Sequence, residues 1–254
     1  VGYYASQNAT SSLNVAIGFE AGRGKTSAPY NSGEANISIG PYTNYDVSTG
    51  KRNVSVGGRA GYEMDTGTDN TLLGNNAGYN VKDGVGSTII GGYAGRYATG
   101  SYNTFIGYNA GDGGNTSAPF SSGEYNVAVG YHALRGGINN TGIFNTAIGY
   151  RAGSTIDNGS YNSFMGYDAG RNVDTGNKNI LLGYNSGSDI EGGEFNITIG
   201  ENSGRSIVDG SDNISIGNAI TFPSDVSKQL IIGSGSLATI SASLETGNIL
   251  LQGN

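Results

Sequence analysis

Residues 162–179 read Asn162-Ser163-Phe164-Met165-Gly166-Tyr167-Asp168-Ala169-Gly170-Arg171-Asn172-Val173-Asp174-Thr175-Gly176-Asn177-Lys178-Asn179. An Asn opens the unit, then two variable residues, an aliphatic residue, Gly, Tyr, a variable residue, Ala and Gly. A spacer holding one apolar residue and a further Gly leads to the next Asn. The Gly that closes the apolar run recurs at Gly2, Gly18, Gly40, Gly57, Gly74, Gly91, Gly107, Gly130, Gly149, Gly166, Gly183, Gly200 and Gly217, with an echo at Gly233. Successive differences are 16, 22, 17, 17, 17, 16, 23, 19, 17, 17, 17, 17 and 16, a base period of 17 broken by three insertions. With the Asn as position 1, the apolar run fills positions 2 to 4, the Gly is position 5 and the Ala is position 8.

Self-similarity at a fixed period is the signature of a repeat architecture. Helices cannot supply it here, because the apolar runs are three or four residues long and each Gly costs about 1 kcal/mol in a helix. The chain carries 46 Gly in 254 residues, which in the absence of a three-residue period excludes collagen. The regular return of Val, Ile and Leu excludes a disordered low-complexity chain. Short β-branched strands punctuated by Gly, Asn and Asp fit a solenoid with one coil per repeat. The expected fold is all-β: a left-handed parallel β-roll or β-solenoid of about 14 coils, some 65 Å long at the usual strand spacing. Its repeats cover 1–219, starting inside a repeat as a truncated fibre would, and a β cap or stem covers 220–254.

The position-4 residue is aliphatic in every unit, as in Ile17, Ile39, Leu73, Ile148 and Ile199, and is expected to form the core of the stack. Positions 2 and 3 tend to trade volume: Val15-Ala16 and Ile37-Ser38 against Thr71-Leu72 and Ser163-Phe164, with Thr146-Ala147 and Ile180-Leu181 the exceptions. Neighbouring strand residues face opposite ways, so the trade predicts burial on both faces, one by the coil interior and one by further copies of the chain. A homotrimer follows as the expectation. Position 1 is Asn at Asn14, Asn36, Asn53, Asn70, Asn103, Asn126, Asn145, Asn162, Asn179, Asn196 and Asn213, with Ser87 the exception. Identical amides about 4.8 Å apart can hydrogen-bond as a structural ladder. The position-5 Gly and the small residue three later mark turns or close backbone approach. Tyrosines after the Gly, such as Tyr131, Tyr150, Tyr167 and Tyr184, form a column suited to interface packing or to stacking on sugar.

Two insertions resemble each other at a distance of 90 residues: Thr26-Ser27-Ala28-Pro29-Tyr30-Asn31-Ser32-Gly33-Glu34 and Thr116-Ser117-Ala118-Pro119-Phe120-Ser121-Ser122-Gly123-Glu124. Loops carry recognition more often than scaffold does, so Tyr30, Asn31, Phe120, Ser121 and, in the third insertion, Arg135 are the candidate receptor contacts. The same loops could instead clasp the copies of a trimer. The tail from Ala238 alternates apolar and polar residues around Thr246-Gly247, as a hairpin or stem that protects the last coil edge would.

Chemistry is sparse. A net charge of −7 with scattered basic residues argues against nucleic acid. No apolar run approaches the roughly 20 residues of a membrane span, so membrane insertion is not expected. Cysteine is absent, removing disulfides and thiolate metal sites, and no metal or other cofactor is implied. The single histidine, His132, has no repeated partner. Asp65, Asp174 and Glu191 share a spacer position without the dense spacing of a calcium-binding solenoid. No catalytic residues emerge, although a carboxylate pair assembled across coils would suit glycoside cleavage. Asn196-Ile197-Thr198 and Asn213-Ile214-Ser215 fall inside predicted strands and are poor glycan acceptors.

Asn145-Thr146-Ala147-Ile148-Gly149-Tyr150-Arg151-Ala152-Gly153 and its copies resemble the head repeats of trimeric autotransporter adhesins and, more closely, the longer Asn-rich repeats of phage tail fibre proteins. The resemblance covers about residues 1 to 220. It implies a non-enzymatic, trimeric viral tail fibre located in the virion tail, joined to other tail components and attaching to a polysaccharide or protein receptor on a host surface. A bacterial surface adhesin or extracellular filament subunit is the alternative, and a polysaccharide-degrading tail spike a third reading.

Overall fold

The structure is a computed structural model that describes residues 1–26, 31–113, 122–136, 141–222, 226–235, 237–245 and 248–251. Among these residues there are strands and turns but no helix, and so none long and apolar enough to cross a membrane. The described residues form two compact units, one up to residue 129 and one from residue 130 onward.

The first unit stacks β1 (Val15–Ile17), β2 (Ile37–Ile39), β3 (Val54–Val56), β4 (Thr71–Leu73), β5 (Thr88–Ile90), β6 (Thr104–Ile106) and β7 (Val127–Val129). Each pairs parallel with the next at identical repeat positions, for example Val54 with Thr71, Ser55 with Leu72 and Val56 with Leu73. The insertions do not disturb this register, since Ile17 still meets Ile39 and Ile106 still meets Val129.

In the second unit β8 (Thr146–Ile148), β9 (Ser163–Met165), β10 (Ile180–Leu182), β11 (Ile197–Ile199), β12 (Ile214–Asn218) and β13 (Gln229–Ser234) continue the same parallel pairing. β14 (Leu237–Ser243) then pairs antiparallel with β13, and β15 (Asn248–Leu251) antiparallel with β14. The β-solenoid with a 17-residue period is therefore present, in about 11 turns rather than the expected 14. Fourteen glycines delimit thirteen intervals; Gly2 has no strand before it, and the Gly233 unit is already the first strand of the terminal meander.

Strands of three residues suffice because the turns are hydrogen-bonded from coil to coil as well. Gly61 N donates to Ala77 O at 3.0 Å, Glu63 N to Tyr79 O at 2.8 Å and Asp65 N to Lys82 O at 2.9 Å. The corners need left-handed backbone. In the coil that begins at Asn179, φ is +133° at Gly183, +52° at Asn185, +55° at Gly187 and +56° at Phe195. The three values near +55° admit Asn, Asp and, at some cost, other residues, whereas +133° belongs to Gly.

Position 3, the middle residue of each strand, points inward: Leu72, Ile89, Phe105, Phe164 and Leu181 are buried. It packs with the small residue of position 8, such as Ala60, Ala77, Ala152 and Ala169, and with the spacer apolar residue of position 12, such as Met64, Val81, Ile156, Val173 and Ile190. The core is thus built from positions 3, 8 and 12. The position-4 stripe expected in the core lies outside instead: Ile17 is 46% exposed, Ile148 37% and Met165 52%. The physical reason is the pleat, which sends positions 2 and 4 to the face opposite position 3. Positions 2 and 3 therefore share no packed space, and their trade in volume is not a steric exchange.

Candidate ligand-binding surface

The eleven position-1 asparagines build scaffold. In the first unit Asn53 Nδ2 donates to Asn36 Oδ1 at 3.1 Å and Asn70 Nδ2 to Asn53 Oδ1 at 3.1 Å; in the second, Asn162, Asn179, Asn196 and Asn213 each donate to the preceding Asn at 3.1–3.2 Å. Each of these amides also donates to a backbone carbonyl one coil on, as Asn179 does to Gly193 O at 2.8 Å, and each Oδ1 accepts the next backbone N–H. At the exception, Ser87 Oγ accepts from Asn103 N at 3.2 Å and the backbone connection survives. Asn14 is half-buried, and its Oδ1 accepts from Asn36 N. Asn103, Asn126 and Asn145 are buried. These side chains are committed to the stack.

Of the candidate receptor contacts, Tyr30, Phe120 and Ser121 lie outside the described residues. Asn31 does not face a receptor. It is 3% exposed, donates from Nδ2 to Gly22 O at 3.2 Å and accepts from Gly33 N at 3.2 Å, so it ties the first insertion to the coil. Arg135 is exposed, beside the tyrosine column.

That column runs through the second unit at position 6. Tyr131 stacks on Tyr150 at 5.2 Å, Tyr150 on Tyr167 at 4.7 Å and Tyr167 on Tyr184 at 5.1 Å, with interplanar angles of 8°, 9° and 17°. Stacked rings cover one another's faces and present their edges and hydroxyls. At the start of the column a cleft of about 290 Å³ is lined by Tyr131, His132, Arg135, Tyr150, Arg151, Ser154 and Thr155. Burial, reinforced by Arg135 and Arg151, holds the His132 imidazole below its ordinary pKa.

The first unit carries a different column, at position 10. Tyr45, Tyr62 and Tyr79, spaced by one period, stack at 4.9 and 4.8 Å with interplanar angles of 3° and 11°. Burial holds the Tyr62 and Tyr79 hydroxyls above their ordinary pKa, so they stay neutral donors at neutral pH. One period on, the position is Arg96, which ends the column. Its guanidinium lies 4.9 Å from the Tyr93 ring and 4.4 Å from the Tyr97 ring, and holds both oxygens of Asp112 at 3.1 and 3.2 Å. There a cleft of about 460 Å³ opens between Arg59, Glu63, Asn76, Tyr79, Asn80, Tyr93, Arg96 and Tyr97. A second cleft of about 340 Å³ shares Arg59, Asn76 and Tyr93 and reaches Pro41 and Tyr42. The sequence reading missed these residues, although the 17-residue spacing of Tyr45, Tyr62, Tyr79 and Arg96 is visible in it.

The carboxylates that come together across coils are matched by cations. Lys25, Asp46, Glu63, Asp65 and Lys82 line one hollow, in which Lys25 pairs with Asp65, and Lys82 with Glu63 at 3.7 Å. The Lys25 and Ser48 hydrogen bonds outweigh burial and hold the Asp65 carboxyl below its ordinary pKa, while burial raises that of Asp46. Among the described residues no group of three or more His, Asp or Glu is arranged to hold a metal ion.

No family model matches the chain, and no curated protein or solved structure does.

Proposed function

We propose that the chain is a structural and adhesive fibre protein that associates as a homotrimer, belongs to a viral tail fibre and attaches to a host cell surface without catalysing a reaction. The observation that carries this reading is the apolar outward face of the strands. In the first unit Val15, Ile17, Ile37 and Ile106, and in the second Ile148, Met165, Ile180, Ile199 and Ile216, are each 36–52% exposed. In the second unit one recurs at position 2 or 4 of every strand from β8 to β12, a continuous stripe rather than scattered single residues. In the first unit they lie in β1, β2 and β6, and the outward residues of β3, β4, β5 and β7 are half-buried. Stripes of this kind mark interaction surfaces. Other copies of the same chain carry the matching period and would bury coil against coil.

Mass photometry of the 254-residue chain tests the assembly. A species of three times the chain mass is expected, and a stable monomer at micromolar concentration would sink the reading. Attachment is tested separately, by adsorption of fluorescently labelled protein to bacterial cells and to their purified surface polysaccharides.

A further inference from the structure

We propose that the cleft of the first unit at Arg59, Tyr79, Tyr93 and Arg96 binds a carboxylated sugar, a uronic-acid unit of an acidic polysaccharide. The inference deepens the attachment reading and rests on it only for its biological context.

Three observations carry it. The first is an uncommitted cation. Arg59 is exposed; its backbone N–H donates to Pro41 O at 2.9 Å, but its guanidinium has no ion-pair or hydrogen-bond partner among the described residues and lies 5.8 Å from the Tyr42 ring. The other charged groups of the cleft are engaged, Arg96 by Asp112 and Glu63 by Asn80 and Lys82. A free guanidinium in a chain of net charge −7 marks a place for an anion, and its planar fork fits a carboxylate with two parallel hydrogen bonds.

The second is an uncovered ring. Tyr79 is the last of its stack, and among the described residues no ring stacks on its other side. It gives the cleft an aromatic wall on which the C–H face of a pyranose can lie, beside Tyr93 and Tyr97, each of which carries the Arg96 guanidinium over its ring. Asn76, half-buried at the cleft, adds a side-chain oxygen as an acceptor and a second N–H for sugar hydroxyls, one N–H being donated to Asn75.

The third is length. The adjoining cleft shares Arg59, Asn76 and Tyr93, so the walls continue from one coil to the next past a single cation. That suits a chain of sugars bearing a carboxylate more than a bare anion, which needs no aromatic wall. The surface lies at the turns, away from positions 2 and 4, so a ligand there does not compete with the stripe assigned to assembly.

The test is isothermal titration of the 254-residue chain with trigalacturonate, galactotriose and inorganic phosphate. Trigalacturonate is expected to bind at least about tenfold more tightly than either other probe. Arg59→Ala should weaken trigalacturonate about tenfold with an unchanged melting midpoint, Arg59→Lys should recover part of the loss, and Tyr79→Leu should weaken the acidic sugar while leaving the weak phosphate binding as it is. Equal binding of galactotriose, equal binding of phosphate, an unaltered affinity in Arg59→Ala, or no heat with trigalacturonate at millimolar concentration would each overturn the proposal. If labelled protein adsorbs to cells and Arg59→Ala adsorbs equally well, the uronate site falls and the attachment reading stands. If trigalacturonate binds and no cell or polysaccharide does, the site stands and the attachment reading falls.

Discussion

At Gly183 the backbone takes φ +133°, and an added Cβ would lie 2.5 Å from the carbonyl oxygen of Gly200 in the next coil. Both the conformation and the spacing between coils exclude a side chain, which is why position 5 is Gly in every unit. Gly183→Ala is expected to cost about 3 kcal/mol, seen as a lowered urea midpoint. Asn185→Gly, at φ +52°, should be nearly neutral in the same assay. Asn179→Ala removes the acceptor of Asn196 N and Nδ2 and the donor to Gly193 O, all buried, at an expected cost of about 2–4 kcal/mol. His132 gives a pH signature. Its folded pKa lies below the ordinary 6.5, so the neutral ring is favoured in the folded state. Its contribution is complete above about pH 6.5 and is lost as pH falls toward the folded value. Thermal melts at pH 7 and pH 5 should therefore differ less for His132→Gln than for the parent chain.

Within a single coil the inward residue of the strand does most of the packing. Phe164→Ala should cost about 3–5 kcal/mol by chemical denaturation; Met165→Ala, one residue along and 52% exposed, should cost far less in the isolated chain. Two polar position-3 residues, Thr198 and Ser215, meet a Ser at position 8 of the preceding coil. Ser186 Oγ donates to Thr198 O at 2.8 Å and meets Thr198 Oγ1, and Ser203 meets Ser215 in the same way. Ser186→Ala alone is expected to cost about 1–3 kcal/mol, and the double change Ser186→Ala with Thr198→Val to recover most of it, a coupling that a double-mutant cycle measures. This element also shows what the sequence could not decide. A three-residue strand offers two outward positions for one inward position, and aliphatic residues fill the outward pair as often as the inward one. Hydrophobicity alone therefore pointed to position 4. The deciding signals were the small residue that fills position 8 in every unit but the last, where Ile220 stands, and the Val, Ile or Met found at position 12 in most units, which belong on the side of the coil that faces the strand's middle residue.

At the scale of the molecule, the change from parallel to antiparallel pairing at β13 and β14 ends the stack. β14 covers the edge of β13, and Leu230, Ile231 and Ile232 pair with Ala242, Ser241 and Ile240. Deleting residues 229–254 would leave β12 as an open, flat, apolar edge, and light scattering should then show concentration-dependent aggregation. The outward stripe makes a separate prediction. Ile148→Asp combined with Ile199→Asp should keep a cooperative melt, since both residues point away from the core, yet shift the mass photometry peak of the proposed trimer to that of a monomer. The sequence by itself determined the period, the strands, the turns that need Gly and the ladder of Asn, because each is set by contacts between identical positions one repeat apart. Only the tertiary structure decided which face of the strand is core, that Asn31 is buried scaffold, and that Arg59, Tyr79, Tyr93 and Arg96 share a cleft. Those depend on how the spacer folds back over the strand and on which side chains from different coils meet at the turns, and a repeat period specifies neither.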